Sequence, residues 1–114
     1  MGIVLQVPSR YGPAHRWAAV EALYALADPK AREMLVRAIQ DPDSEVAAAS
    51  AESLALLHHG PAVPAMIARL NEAQGELRSD LAESLADLTG ENFKADAVRW
   101  EDWWKISAGN GESR

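Results

Sequence analysis

Carboxylates recur along this chain at spacings that bring them together. Glu21, Glu52 and Glu83 follow one another at intervals of 31 residues, and Glu76, Asp80, Glu83 and Asp87 stand at i, i+4, i+7 and i+11. The second spacing puts four acidic side chains on one face of a helix. Two chemistries use such residues. Paired carboxylates carry out acid–base work when a buried setting separates their pKa values. Rows of exposed carboxylates attract cations and raise their local concentration. The helical spacing here places the acids on the polar side of an amphipathic helix, a face that water also solvates in any such helix. What singles this one out is the threefold recurrence. It predicts a partner-binding strip, including Glu76, Asp80 and Asp87, for a basic peptide or protein face whose encounter the negative charge would speed.

Other residue types with chemical potential lack the arrangement that chemistry needs. His58 and His59 are adjacent, so at a helix end they point about 100° apart. His15 lies more than one repeat away, and no His-x-x-x-His spacing is present; no metal site is predicted. Ser44, Ser50, Ser53, Ser79 and Ser84 fall in helical sequence without a Gly-x-Ser-x-Gly elbow. There is no Gly-rich phosphate loop, and the absence of cysteine excludes a thiol nucleophile, a thiolate metal site and a disulfide framework. The expectation is a non-catalytic chain that carries no cofactor.

Trp100, Trp103 and Trp104 sit at i, i+3 and i+4, which gathers three indoles on one side of a short helix. Indoles so placed can grip a peptide or a proline-rich ligand, or they can plug the apolar end of a helical stack. Helical spacing near the end of a chain favours the plug. Trp17, beside the Gly12-Pro13 break, is also expected to be structural.

The elements that must carry these residues repeat. Val20-Glu-Ala-Leu-Tyr-Ala-Leu26, Ala51-Glu-Ser-Leu-Ala-Leu-Leu57 and Ala82-Glu-Ser-Leu-Ala-Asp-Leu88 are versions of one segment. The same offset of 31 matches Leu35 with Met66, Val36 with Ile67, Ile39 with Leu70 and Val46 with Leu77. A fixed period of this length is the mark of a stacked-repeat protein. Ala and Leu dominate while β-branched residues are sparse, which favours helix. Residues 29–40 and 61–72 are predicted as first helices of a pair, with Met34, Leu35, Ala38 and Ile39, and then Val63, Met66, Ile67 and Leu70, facing inward. Second helices follow, one capped by Asp43 or Ser44 and directing Val46, Ser50, Ser53, Leu54 and Leu57 inward, the other spanning residues 76–88 with Leu77, Leu81, Leu85 and Leu88 inward. Residues 16–26 read as the second helix of an earlier pair whose first helix is not evident.

These segments resemble HEAT-like repeats of the phycobilisome-lyase type, a short bacterial variant. The resemblance lies in Asp41-Pro-Asp-Ser-Glu-Val46, the Ala-rich sequence leading to Ala51-Glu-Ser-Leu54, and Gly60-Pro-Ala-Val-Pro-Ala-Met-Ile67. It covers residues 14–90, and the 88–104 segment is similar to a tail that closes small bacterial proteins of this kind. It implies an all-α, right-handed α-solenoid of about two and a half helix pairs, built from antiparallel αα-hairpins, and a docking scaffold rather than an enzyme. The family pattern has Arg just after the valine of the second helix. Arg16 and Arg78 hold that position in the outer units and Ala47 in the middle one, so an Asp–Arg ladder between repeats is expected to be incomplete.

The chain has 114 residues, enough for one domain, with 11 Lys and Arg against 17 Asp and Glu and a formal net charge of −6. An acidic chain repels phosphate backbones, which argues against nucleic-acid binding. No apolar run reaches the roughly 18 residues of a membrane helix, and the first residues lack the pattern of a signal peptide; with the absence of cysteine this predicts a soluble, cytoplasmic protein. Residues 1–13 are expected to form a cap or to mark a truncation boundary, residues 91–106 a Trp-rich capping helix, and residues 107–114, rich in Gly and Ser, a disordered tail. Two further functional classes follow from the same observations. The resemblance admits a tetrapyrrole lyase-like or enzyme accessory domain. The apolar Ile3, Val4, Leu5 and Val7 admit a self-associating module that forms a homo-oligomer through its N-terminal end.

Overall fold

Each hairpin is set by the chemistry of its turns. Asp28 is held extended before Pro29, and its carboxylate accepts a hydrogen bond from the Ala31 N–H at 2.8 Å, capping a helix that proline can begin at no cost because the first N–H groups have no intrahelical partner. Asp43 does the same for the next helix, accepting from the N–H groups of Glu45 and Val46 at 2.9 and 3.1 Å. Gly90 ends a later helix at φ +80°, its N–H bonded to the Ala86 carbonyl at 2.9 Å.

The computed structural model describes residues 12–112; most of the 1–13 segment expected to be a cap or truncation boundary, with the Ile3, Val4, Leu5 and Val7 expected to pair with a second copy, lies outside them. The helices are α1 (Pro13–Leu26), α2 (Pro29–Ala38), α3 (Ser44–Leu56), α4 (Val63–Glu72), α5 (Gly75–Thr89) and α6 (Ala97–Glu112), and no strand occurs among the described residues. A 3₁₀ turn at Gly60–Ala62 precedes α4, so the predicted helix over residues 61–72 is divided in two. Pro61 and Pro64 both lack the N–H that a continuous α-helix requires beyond its first turn.

Helices α2 and α3 form one antiparallel hairpin and α4 and α5 a second, with α1 as the second helix of an incomplete pair. The architecture is the expected α-solenoid. The second helices α1, α3 and α5 pack side by side, with α3 in the middle. Helices α2 and α4 form an outer layer, and α6 joins that layer by packing on α4. Two layers of helices packed roughly 8–10 Å apart account for a molecule only 18 Å thick in its shortest dimension.

The core runs continuously between the layers. Leu35, Ile39, Leu54, Met66, Leu70, Leu81 and Leu85 are fully buried, as the 31-residue register places them. Each such side chain contributes roughly 1.5–3 kcal/mol by leaving water. Ser50, also fully buried, satisfies its hydroxyl by donating to the Val46 carbonyl at 2.8 Å. At the end of the stack Trp100 is wholly buried, and its indole N–H donates to the Lys94 carbonyl at 2.8 Å. Phe93 meets it edge-on at 4.9 Å, and Trp103 edge-on at 5.9 Å. Helix α6 continues through Glu112, so residues 107–112 of the 107–114 segment expected to be a disordered tail are helical. Once a helix is nucleated, each added residue gains a hydrogen bond, and propagation tolerates weak helix formers.

Candidate functional site

Helix α3 turns an unusual surface to solvent. Its exposed line carries Ala48 and Ala49 between Glu45 and Glu52, so its middle has little side-chain height. On one side, α1 raises the indole of Trp17, which is 43 % exposed. On the other, α5 raises Glu76, Asp80, Glu83 and Asp87. Low alanines between taller neighbours make a groove of about 550 Å³, with Ser44 and Gln74 at its edges and Leu77 and Ser84 at its base.

The spacing of the α5 acids therefore does bring them to one surface, and Glu52 joins them from α3. Glu21 does not. It is exposed on α1 at the position equivalent to Glu52 and Glu83, but the groove lies between α3 and α5, and its α1 wall is Trp17. Of the predicted three rungs, Glu52 and Glu83 line the groove, and Glu21 stands exposed on the neighbouring helix α1 outside its lining. Glu45 belongs to the groove although sequence reasoning passed over it. The signal was present, because Glu45 lies 31 residues before Glu76. Trp17, expected to be structural, is instead the one aromatic side chain of the groove, standing where later repeats have Ala48 and Ser79.

Six carboxylates line this groove and no Lys, Arg or His does. Removing those six from the 17 acidic residues of the chain leaves 11, equal to its 11 Lys and Arg. The six carboxylates of this one groove thus equal in number the whole excess of acid over base, 17 − 11 = 6. A concave surface lined by one sign of charge focuses the field into the groove. Its carboxylates are exposed, apart from the half-buried Asp80, and groups so well hydrated suit cation binding rather than acid–base catalysis.

The three C-terminal indoles divide between two roles. Trp100 has no exposed surface, so the expectation that it could contact a partner is corrected: its ring fills the space beside Ala97 and Phe93 at the end of the core. Trp103 and Trp104 are half-buried and pack against the same core, their rings 6.1 Å apart. The arginines at equivalent positions also differ in their partners. Arg16 binds Asp41 in the α2–α3 turn, its Nε 2.6 Å from Oδ2, and this hydrogen bond holds the guanidinium pKa above its ordinary value against the opposing effect of burial. Arg78 donates instead to the carbonyls of Leu70, Ala73 and Ala95, tying α5 to the segment that leads into α6. Ala47, the middle position, is fully buried.

No group of three or more His, Cys, Asp or Glu that could hold a metal ion occurs among the described residues. His59 follows α3, and partial burial, aided by the charge of Arg32, lowers its pKa from the usual 6.5. No described helix is long and apolar enough to cross a membrane.

Comparison with known families agrees with this geometry. The pattern of HEAT repeats matches residues 9–86, well over half of the 114-residue chain. The chain belongs to the HEAT-repeat family. No curated protein and no solved structure matches it. The match takes in α1 to α4 and most of α5, and so includes every helix that lines the groove.

Proposed function

We propose that this HEAT-repeat protein is a non-catalytic docking scaffold whose second-helix groove engages a basic protein or peptide. HEAT repeats commonly serve as protein-interaction scaffolds, which supports a protein partner in general terms. The observation that carries the finer reading is the segregation of charge: Glu45, Glu52, Glu76, Asp80, Glu83 and Asp87 share one groove that contains no basic side chain. Solvation of a helix face requires polar residues but not a single sign of charge on neighbouring helices. Charge of one sign on adjacent helices is repulsive in the free protein and becomes favourable when a cationic partner neutralises it.

The assignment to the phycobilisome-lyase type within the family is a finer reading, supported by the 41–46 and 60–67 segments. The groove favours docking over a lyase-like activity, because it is open to water and its charged residues are all acidic.

The test is capture of partners from a native lysate at low and high salt, with the Glu52→Lys/Glu83→Lys protein as control. The reading expects a partner with a basic surface that is lost both at high salt and in the double variant, whose helical circular dichroism stays unchanged and whose melting temperature does not fall. A partner retained by the charge-reversed protein would show that the groove is not the docking site.

A further inference from the structure

The second-helix face is divided in character as well as charged. Tyr24 follows Trp17 by seven residues and so shares its edge of α1, and it is 40 % exposed. Leu56 follows Glu45, Ala49 and Glu52 at i+11, i+7 and i+4, which extends the groove-facing line of α3, and it is 59 % exposed. Helices α1 and α3 pack side by side. Trp17 beside the alanine floor, and Tyr24 and Leu56 farther along α1 and α3, therefore offer exposed apolar surface, broken on α1 by Glu21, while α5 on the other side presents an acidic row.

We propose that the occupant of this groove is an amphipathic cationic helix from another protein, with apolar side chains against Trp17, Tyr24 and Leu56 and Lys or Arg side chains against α5. This rests on the acidic-docking reading and narrows it. A fully polar basic segment would leave the three large apolar side chains in water. A helix with adjacent apolar and basic flanks satisfies both sides at once. The small side chains of Ala48 and Ala49 permit close approach, as a helix seated in a groove requires. Helix α3 has 13 residues, about 20 Å at 1.5 Å per residue, so three to four turns of partner helix run its length. The acidic spacing at i, i+4, i+7 and i+11 is itself helical and matches cations repeated at i, i+3 or i+4 and i+7 on the partner.

A second copy of the chain does not supply this complement. Outside the groove face the exposed large apolar residues are Leu26, alone at the end of α1, and Val98 and Ile106 on α6, where Glu101 and Asp102 stand beside Arg99 and Lys105. Placed against α5, the α6 surface would set Glu101 and Asp102 against the acidic row, and Leu26 alone offers no apolar flank.

The experiment uses three peptide probes of about 15 residues, enough for the turns above, and the full chain: an amphipathic Leu/Lys helix with leucines on one flank and lysines on the next, a scrambled peptide of the same composition, and oligolysine of equal length. Binding is measured by calorimetry at low salt, and peptide helicity by circular dichroism. The amphipathic probe is expected to bind at least tenfold tighter than either control and to gain helix on binding. Trp17→Ser and Leu56→Ser, each first shown to keep the native circular dichroism, are expected to bring it down to the level of oligolysine without changing oligolysine binding. Equal binding of all three probes, untouched by those two variants, would overturn the amphipathic occupant and leave acidic docking standing. Failure of every probe to bind, oligolysine included, would overturn both.

Discussion

Arg16 on α1 grips Asp41 in the α2–α3 turn with two nitrogens, Nε on Oδ2 at 2.6 Å and the second on Oδ1 at 3.1 Å. Asp41 Oδ1 also accepts the Asp43 N–H at 2.8 Å, and Asp43 in turn caps α3. The pair thus joins the first helix of the stack to the turn inside the α2–α3 hairpin. Both side chains are about nine-tenths covered, at 10 % and 11 % exposure, so water replaces the contact poorly. Asp41→Ala should cost about 2 kcal/mol, the scale of hydrogen bonds to a charged group. Arg16→Lys should also lower the melting temperature, because an ammonium cannot reproduce the two-point contact. Urea unfolding of both single variants and the double variant tests this; additive losses would mean that the two residues are not coupled.

The opposite end of the stack depends on Trp100. Its ring is fully buried, touches Phe93 edge-on and anchors the loop through the Lys94 carbonyl. Trp100→Ala should cost about 3–5 kcal/mol, as deletion of a buried large aromatic does. Trp100→Phe should recover most of the packing but leave the Lys94 carbonyl without its donor. Chemical denaturation of both variants is the check, and equal loss in the two would assign the effect to the hydrogen bond instead of the packing.

What was legible in the sequence, and what was not, follows from the range of the forces involved. Burial obeys the 31-residue register, so Val63, Met66, Ile67 and Leu70 could be placed inward from their spacing alone, and all four are buried. The acidic row of α5 was legible for the same reason. The groove itself was not, because it depends on what one repeat lacks and another supplies. Ala48 and Ala49 look like ordinary helix formers until Trp17 and Glu83 rise on either side. Trp17 breaks the register, and a residue that breaks the register carries no periodic signal. Arg78 illustrates a second limit. The missing acidic partner was readable, but its three carbonyl acceptors come from positions 8, 5 and 17 residues away that only the folded chain assembles.

Ala27 ends α1 at φ +55°, with its N–H bonded to the Leu23 carbonyl at 2.9 Å. This is the left-handed region, where a Cβ crowds the backbone by about 1–2 kcal/mol and glycine does not. Ala27→Gly should therefore stabilise the protein by about 1 kcal/mol once the greater freedom of glycine in the unfolded chain is subtracted, a rise of roughly 4 °C in Tm for a domain of this size. Thermal unfolding decides it; a fall in Tm would show that the Ala27 methyl packs usefully against its neighbours.

His59 gives stability a pH dependence of definite sign. Its folded pKa lies below 6.5, chiefly through burial and secondarily through Arg32. Between the two pKa values the unfolded chain binds more proton than the folded one, so stability falls as pH drops from above 6.5, and the loss levels off below the folded pKa. His59→Gln should remove that part of the slope. Urea midpoints at pH 7.5 and 5.5 should therefore differ more in the wild-type protein than in the variant. Identical slopes would mean that His59 titrates alike in both states.

The groove carries a cost in helix stability. Asp80 lies four residues after Glu76 and three before Glu83, and Asp87 follows Glu83 by four. Like charges at these spacings destabilise a helix by about 0.2–0.5 kcal/mol per pair. Asp80 is beyond the first turn of α5, where the helix dipole would welcome an acid. Asp80→Asn should thus raise the Tm by a few degrees, and the wild-type Tm should climb with added NaCl more steeply than that of the variant, because salt screens the same repulsion. The same substitution should weaken binding of oligolysine. A variant that gains stability and loses cation binding together would mean that α5 keeps Asp80 for recognition at the expense of its own helix. A variant that is neither more stable nor a weaker binder would return Asp80 to the ordinary solvated side of an amphipathic helix.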